Sequence, residues 1–506
     1  MSDKPDYTAD YRNFQGGMDA ITQPWLIRDD QYPMLEDGYT WKGGFVKNSG
    51  YSAALSQVGV ANRGLSIKRL YDHVSGNFTV AQFADGGLYR MSGARAVKIG
   101  SGWGATNKLT YTTANRKTYF TNGAQQIKVW TGDRTTYQAA PAATPAEIPT
   151  FIFFHQETNR VFAGRGATTK QRNWYSENNG FETWPGNNFF DIPESRTGDS
   201  VMGYASLLGR LVIFGQRTIS VLYGKTPSDY MLRTLEWDHG CHFPHSIISY
   251  SNHILYLGAE GIYAFDGSGP AKLISNPVDS IIDDINKSSE WGPAAYMTKD
   301  FHYILSYKSL TKNTGNSVLH NDRELRLQAP SPESPRWTFE NVNKRGFSGY
   351  APYNGDTDVG QVYTVAGDTV GQIYKLDSSQ QYNGNGIDMD VTTKMYDFKQ
   401  PFTMKCFLDV TVQAQAVGDY PIELYYKIDG EPSWNQLDSI LLSTMGPVAG
   451  SRDMSTTRRF MVNETREINR NGHYIQFRIR QNGAKGVNQP VTVSGIECTA
   501  KRLEVR

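Results

Sequence analysis

Cysteine is scarce in this chain of 506 residues, and its three copies are far apart. They are Cys241, Cys406 and Cys498. An odd number at wide spacing does not suit the disulfide framework that stabilises small secreted domains. We therefore expect the chain to be synthesised in a reducing cytoplasm. The opening letters, MSDKPDYTADYRNFQGG, contain no apolar core of a secretory signal, which favours the same expectation.

Long apolar runs and a dominant charge sign are absent as well. Nothing approaches the roughly 18 continuous apolar residues of a membrane helix, so we expect no stable membrane insertion. The 51 Lys and Arg residues nearly balance the 50 Asp and Glu residues, giving a net charge of +1. This balance argues against a chain-wide nucleic-acid-binding surface, although a local basic patch stays open.

Sequence motifs of enzymes are also missing. The chain has no G-x-S-x-G, P-loop, H-E-x-x-H or dinucleotide-binding fingerprint. We predict that the protein is not an enzyme and needs no cofactor.

Glycine and aromatic residues are abundant, with 49 Gly, 30 Tyr and 23 Phe. This composition favours many short strands joined by tight turns. Residues 246–275 show the pattern most clearly, because four short apolar runs are separated by Ser-Asn-His, Gly-Ala-Glu-Gly and Asp-Gly-Ser-Gly. The segment predicts a four-stranded antiparallel meander. Such a sheet is too small to hide both faces alone, so similar sheets should cover it.

The meander recurs along the chain. Residues 87–99 (GLYRMSGARAVKI) are similar in sequence pattern to residues 261–274 (GIYAFDGSGPAKLI). Similar strand and turn patterns are centred on Leu88, Ile127, Trp174, Ile219, Ile262, Leu325 and Ile373. A period in the forties with four strands per unit is typical of a β-propeller. We predict an all-β fold containing a propeller of about seven four-stranded blades.

Segments that do not follow this repeat pattern predict the remaining domains. Residues 1–60 are irregular and predict an N-terminal arm with lone strands, before a propeller at 61–385. Residues 386–506 contain longer alternating strands and predict a β-sandwich-like domain, with an elaborated last blade as the alternative. Within 277–286, the spacing of Val278, Ile281, Ile282 and Ile285 predicts a short amphipathic helix.

Two segments contain side chains that bind metals elsewhere. His239, Cys241, His242 and His245 could supply a zinc site, but the paired spacing of zinc modules is missing. Residues 354–360, NGDTDVG, alternate oxygen ligands without the downstream Glu of a calcium loop. We interpret both segments as structural connections and predict no metal.

Another segment, residues 176–184 (SENNGFETW), resembles the Asp-box turn of sialidase-like propellers. It has Asn in place of Asp and one extra residue before Trp184. The resemblance implies a structural turn and supports the propeller.

Two stretches resemble the β-propeller proteins of bacteriophage tails, in particular the tail nozzle proteins of short-tailed phages. The arm carries Phe14, Gly16 and Gly17 in FQGGMDA, followed by EDGY and FVKNSG. Its Lys-Asn-Ser-Gly stands where such proteins often have a basic residue and a glycine. Residues 208–267 are similar to the central blades of this family, including the Gly-Cys-x-x-Pro-x-Ser pattern at 240–246.

The resemblance implies a virion structural protein of the tail, made in the host cytoplasm. It implies a homo-oligomer, with a hexamer expected, that attaches to the adaptor or head-to-tail connector. Tail fibre, spike or needle proteins would be further partners. The oligomer would form a channel for genome retention and ejection, through which double-stranded DNA passes without specific binding. We expect partner contacts at Phe14, Gly16, Gly17, Ile281, Ile282 and Ile285, and from the C-terminal domain.

Two alternatives remain open from the sequence. One is a glycan-directed propeller, either receptor-binding or polysaccharide-degrading, which would need Arg and acidic side chains converging at the propeller mouth. The other is an interaction scaffold, although the Gly-His and Trp-Asp signature of WD repeats is absent.

Overall fold

Short runs of apolar and β-branched residues between glycine and asparagine turns form strands along the whole chain. The computed structural model describes residues 5–54, 62–73, 76–92, 95–132, 145–193, 198–298, 300–311, 321–328, 335–340, 347–353, 361–366, 371–379, 381–416, 421–441, 460–483 and 491–503. Strands make up 55% of the structure and helices 4%, so the predicted all-β fold is confirmed.

The N-terminal arm consists of seven short strands. They are β1 (Tyr7–Tyr11), β2 (Gly17–Met18), β3 (Gln31–Tyr32), β4 (Met34–Glu36), β5 (Gly38–Trp41), β6 (Gly44–Lys47) and β7 (Gly50–Ala53). The strands β2 and β3 pair in parallel with each other. The strands β1, β4, β6 and β7 each pair with a strand from a later part of the chain, and β5 pairs with β6.

The next part of the chain folds into successive antiparallel meanders. The first three comprise β8 (Gly64–His73), β9 (Gly76–Phe83), β10 (Leu88–Ser92) and β11 (Arg95–Gly100); β12 (Thr110–Ala114), β13 (Lys117–Thr121) and β14 (Lys128–Trp130); and β15 (Phe151–His155), β16 (Arg160–Gly164), β17 (Arg172–Tyr175) and β18 (Phe189–Asp191). Each strand pairs with its neighbour in sequence, as expected for hairpin connections.

The meanders continue after β18 with the same order. They comprise β19 (Val201–Leu207), β20 (Arg210–Gly215), β21 (Ile219–Tyr223) and β22 (Met231–Glu236); β23 (Ile248–Tyr250), β24 (His253–Leu257), β25 (Ile262–Phe265) and β26 (Lys272–Leu273); β27 (Ala294–Met297), β28 (Tyr303–Tyr307), β29 (Arg323–Gln328) and β30 (Arg336–Glu340); and β31 (Phe347–Tyr353), β32 (Gln361–Ala366) and β33 (Ile373–Ser379). All four residues of β25 are buried, because neighbouring sheets cover both of its faces.

The meanders pack around a common centre through their first strands. The strand β8 contacts β12, and the contacts then run through β15, β19, β23 and β27 to β31, which returns to β8. The arm strand β7 pairs with β33 and so adds the outer strand to the sheet of β31. Many four-stranded antiparallel sheets in this arrangement are consistent with a β-propeller.

The C-terminal strands form two further sheets with the arm. They are β34 (Met389–Tyr396), β35 (Lys405–Ala416), β36 (Pro421–Ile428), β37 (Asn435–Leu441), β38 (Phe460–Gly472), β39 (Ile475–Gln481) and β40 (Thr492–Arg502). One sheet has the order β38-β35-β40-β6-β5, with β1 also paired to β40. The other has the order β37-β36-β39-β34-β4. The arm strands are therefore paired rather than isolated.

One apolar core joins the arm, two meanders and both C-terminal sheets. It includes Phe14 from the arm, Leu257 from β24, Trp337 from β30, Val410 from β35 and Phe477 from β39. A core shared in this way fixes the C-terminal sheets to the meanders. The domain boundaries at 60 and 385 remain predictions.

Helical structure is short. The α-helix α1 spans Asp279–Asp283, and 3-10 turns span Pro227–Asp229, Pro244–Ser246 and Asn276–Val278. The predicted helix at 277–286 is thus a 3-10 turn followed by a single α-helical turn. No helix in the described ranges is long and apolar enough to cross a membrane.

Candidate functional site

The first strands of the meanders enclose a cavity of about 910 Å³. Each of β8, β12, β15, β19, β23, β27 and β31 contributes to its wall. Small-molecule pockets are usually about 300 to 1,000 Å³, so the cavity has the size of a ligand site. We call it the central cavity.

Positive side chains of β8 line one part of the central cavity. Lys68 is accessible to the cavity, but the protein around it lowers the pKa of its ammonium group by desolvation. Arg69 also lines the cavity, and its guanidinium donates to Thr79 Oγ1 at 3.1 Å.

Two further basic groups come from other elements. Lys108, just before β12, is fully buried and its Nζ donates to the Gly292 carbonyl at 3.0 Å. Desolvation lowers the pKa of Lys108 to about 7. His245 lies in the 3-10 turn before β23 and lines the cavity. Burial lowers the pKa of His245, and the charges of Lys108 and Lys68 lower it further. We call Lys68, Lys108 and His245 the channel cation cluster.

Carboxylates do not balance the channel cation cluster within the described parts of the chain. No Asp or Glu lines the central cavity there, and neither Lys68 nor Lys108 forms an ion pair. The imidazole Nε2 of His245 has almost no accessible surface and no hydrogen-bond partner among the residues that the structure describes. Its ring lies 5.6 Å from that of Trp291. The described lining of the cavity therefore carries the basic side chains of Lys68 and Arg69 without a carboxylate, together with hydroxyl groups from several strands.

The His and Cys segment before β23 does not gather into a metal-binding group. Cys241 is fully buried, and its thiol donates to the Phe243 carbonyl at 3.4 Å. Burial raises the pKa of this thiol to about 12. His239 lies instead beside Glu236, with 3.3 Å between Nδ1 and Oε1. No group of three or more His, Cys, Asp or Glu residues that could hold a metal occurs in the described ranges.

The segment that resembles an Asp-box forms a turn. Ser176 is buried and its Oγ accepts a hydrogen bond from the Val161 backbone amide at 3.0 Å. The backbone amide of Glu177 donates to the Thr183 carbonyl at 2.9 Å, and Phe181 and Trp184 are buried. These contacts fix the link between β17 and β18. The predicted turn at 354–360 lies outside the described residues.

The residues predicted as partner contacts are mainly packed inside the chain. Phe14 is fully buried and stacks on Phe45 with ring centroids 4.2 Å apart. Gly17 has a φ of 81° and lies against the backbone of Arg336, which leaves no room for a side chain. A side chain at Gly16 would meet Asp30 at 2.7 Å. These three residues position the arm within the fold.

The predicted contacts on the short helix are divided between core and surface. Ile282 and Ile285 are buried in the shared core, and Ile281 is half-buried against it. Ile285 also forms a bridge with Ser309. Only Ile281 therefore keeps part of its side chain at the surface of the isolated chain.

A loop of the arm exposes large apolar side chains that sequence reasoning did not select. Within six residues, Ile21 is 54% exposed, Trp25 44% and Leu26 66%. The backbone of this loop is held at two points: the Ala20 amide donates to the Pro277 carbonyl, and the Met395 amide donates to the Pro24 carbonyl, both at 2.9 Å. We call Ile21, Trp25 and Leu26 the arm patch.

The channel cation cluster was also missed from sequence. Lys68 and His245 are 177 residues apart and line the same cavity because the sheets close around it, and Lys108 directly precedes the lining residue Leu109. A lysine within the apolar run of a first strand, as at Lys68, was the available signal.

Comparison with solved structures finds propeller-like neighbours of low identity. One is described as the structure of U3-55K, with 10% identity and a TM-score of 0.43, covering 65% of this chain and 99% of that one. Another is BamB from Moraxella catarrhalis, with 9% identity and a TM-score of 0.37, covering 67% and 93%. No protein-family model and no curated protein matches the sequence.

Proposed function

We propose that the chain is a structural protein of a phage tail, with a seven-bladed propeller and a β-sandwich domain. Several copies form an oligomeric channel below the head-to-tail connector and retain or release the genome. The sequence resemblance in the arm and at residues 208–267 motivates this proposal. The observation that carries it is the arm patch, because exposed clusters of large apolar side chains are typical of protein interfaces.

Placement of the arm patch supports contact between copies. Its loop is hydrogen-bonded both to the segment before α1 and to β34 of the C-terminal sheets. A neighbouring copy that binds the arm patch would therefore contact the place where the arm, the meanders and the C-terminal sheets meet. A neighbouring copy of the chain can thus join a ring without rearranging its own core.

The proposed DNA path runs between copies. The central cavity has the volume of a small-molecule site, so we place the DNA path between copies rather than through this cavity. Near-zero net charge suits a conduit, because many Lys and Arg contacts to phosphates would hold the DNA in place.

The alternative is a glycan-directed propeller. Most glycoside hydrolases use two carboxylates about 5 to 9.5 Å apart across the scissile bond. The described lining of the central cavity contains Arg and Lys but no Asp or Glu, so it favours the structural proposal over hydrolysis in this cavity. Release of sugars from host envelope polysaccharide by the purified protein would favour the alternative.

The proposal is tested by mass photometry of the full chain with and without its tail connector. We expect rings or connector-bound complexes for the wild type. The double variant Trp25→Ala with Leu26→Ser should remain monomeric, because it removes the apolar contact area of the arm patch. Leu208→Ser is the control, since Leu208 is 69% exposed in the turn between β19 and β20. Equal assembly by both variants would contradict the role of the arm patch.

A further inference from the structure

The loop between β34 and β35 carries the most exposed large apolar side chain in the described part of the chain. Phe402 is 94% exposed, and Met404 two residues later is 45% exposed. A single apolar residue at the surface is common and needs no explanation by itself. This loop differs because buried contacts hold it in an unfavourable backbone conformation. We call residues 397–404 the Phe402 loop.

Two successive turns form the Phe402 loop. The Gln400 amide donates to the Asp397 carbonyl at 3.0 Å, and the Thr403 amide donates to the Gln400 carbonyl at 3.2 Å. In the first turn, Phe398 and Lys399 have φ angles of 55° and 59°. Gly, Asn and Asp usually occupy such positions, because a bulky side chain is strained there. The loop therefore adopts a conformation that its own sequence disfavours.

Contacts inside the protein hold this strained conformation. Lys405 has no exposed surface, and its Nζ donates at 2.6 to 3.0 Å to the carbonyls of Gln400, Thr403 and His473. All three donors of the ammonium group thus fix the backbone. The half-buried Phe398 packs against the shared core. Strained residues persist where the surrounding structure fixes them, and they are frequent at sites of function.

The consequence is a fixed loop that holds the ring of Phe402 in solvent. Aromatic side chains are enriched in the cores of protein interfaces, where they fill pockets of the partner. A ring on a backbone that is already fixed loses little further conformational freedom when it binds. Phe402 therefore suits insertion into an apolar pocket of another protein.

The small area of this surface indicates which partner it fits. One Phe and one Met offer much less than the roughly 800 Å² that a standard interface buries on each partner, so two copies do not meet loop to loop. Cavities of a second copy suit the ring poorly, since the central cavity is lined by Lys68 and Arg69, and another of about 230 Å³ by Lys287 and Glu290. A lipid surface needs more apolar contact than one ring for stable anchoring.

These conditions leave a protein of different sequence with an apolar pocket. We propose that the Phe402 loop docks the chain to the head-to-tail connector, with the ring of Phe402 in an apolar pocket of that protein. The identity of this partner rests on the proposed function, in which the ring of copies attaches to the connector. The arm patch then joins the copies to one another, and the Phe402 loop joins them to the connector.

Biolayer interferometry of the full chain on immobilised connector tests the docking site, and mass photometry of the same samples measures ring formation. Phe402→Ala should weaken connector binding about tenfold or more and leave the rings intact. Phe301→Ala is the matched control and should bind like the wild type. Phe301 is 60% exposed with a φ of 60°, but its ring already packs on Tyr250 at a centroid distance of 5.7 Å.

A second variant tests the contribution of the fixed backbone. Lys405→Met removes three hydrogen bonds of the loop and keeps Phe402, so it should also weaken connector binding. Thermal unfolding without connector checks that the variants fold, and Phe402→Ala should unfold like the wild type because its ring is almost fully exposed. Equal connector binding by the wild type and Phe402→Ala overturns the proposal.

Failure of the docking site is distinguishable from failure of the ring assembly. Wild-type rings that form but do not bind the connector would overturn the docking site and leave the contact between copies standing. A monomer whose connector binding depends on Phe402 would support the docking site and contradict the ring.

Discussion

At the residue scale, polar groups are buried where the first strands converge. Lys108 illustrates the consequence, since its side chain has no exposed surface and one hydrogen bond to Gly292. The pKa of Lys108 falls to about 7, compared with about 10.4 in an unfolded chain. Between these two values the unfolded state binds one more proton than the folded state, so the stability of the fold rises with pH in this window.

Replacement of Lys108 by Met should remove this dependence. We expect the wild type to gain at most about 1.4 kcal/mol of unfolding free energy per pH unit between pH 7 and 10, relative to Lys108→Met. Urea unfolding at several pH values measures the difference. Lys272→Met serves as the control and should follow the wild type. A pH slope of Lys108→Met that equals the wild-type slope would show that the buried lysine stays protonated.

At the element scale, β30 joins the meanders to the arm and the C-terminal sheets. Trp337 is fully buried in the shared core, its Nε1 donates to the Ile274 carbonyl at 3.0 Å, and Gly17 of the arm lies against the neighbouring backbone. The large aromatic side chain of Trp337 packs in one core with residues of the arm, the meanders and the C-terminal sheets. The shared core should therefore depend on it.

Trp337→Ala should lower the free energy of unfolding by about 3 to 5 kcal/mol, because it leaves a cavity in the core and removes one hydrogen bond. Trp237→Ala is the matched control, since Trp237 is 50% exposed and its loss should change stability by about 0.5 kcal/mol or less. Chemical denaturation of both variants measures these values. Similar losses in the two variants would contradict a shared core centred on β30.

The strand β7 is the second element that connects distant parts of the chain. Tyr51 on β7 is buried, stacks on Tyr382 at 5.4 Å and meets Phe347 edge-on at 5.1 Å. The Tyr51 amide also donates to the Gln381 carbonyl, and the Asn383 amide donates to the Tyr51 carbonyl. As the outer strand of its sheet, β7 should open more easily than an inner strand when these side-chain contacts are removed.

Tyr51→Ala should therefore increase amide hydrogen exchange in β7 and β33 more than in the inner strand β31. Mass spectrometry of exchange in the full chain gives the measurement. Tyr250→Ala, at a half-buried position at the end of β23, should leave exchange in β33 unchanged. A uniform increase of amide exchange along the whole chain of Tyr51→Ala would indicate global unfolding. That result would contradict a local role of Tyr51 in holding β7 against β33.

Local pattern predicted the individual strands of the meanders well. Six of the seven predicted centres lie on the third strand of a separate sheet, and Ile127 directly precedes the third strand β14. Period and turn residues carry this information because each hairpin is formed by neighbours in sequence.

Pairing over long distances was not predictable in the same way. The strand β7 joins β33 more than 300 residues later, and β1 joins β40 at the other end of the chain. A four-residue or five-residue strand carries too little pattern to specify such a partner. The burial of Phe14 and Ile282, which we expected to contact partners, was not predictable for the same reason, because it depends on contacts between distant parts of the chain.

At the scale of the whole molecule, the arm, meanders and C-terminal sheets share one core, and the arm patch remains exposed at their junction. This distribution places a shared apolar interior beside a surface that we propose for assembly. In the proposed tail, each copy keeps its own core, and rings form by contact between copies.

Electron microscopy of the full chain with its tail connector tests the proposed assembly most directly. We predict closed rings stacked on the connector, with a central opening between copies that is wide enough for duplex DNA. The copies should meet at the arm patch. A persistent monomer that never docks to the connector, at concentrations where the connector itself is intact, would contradict the proposed function.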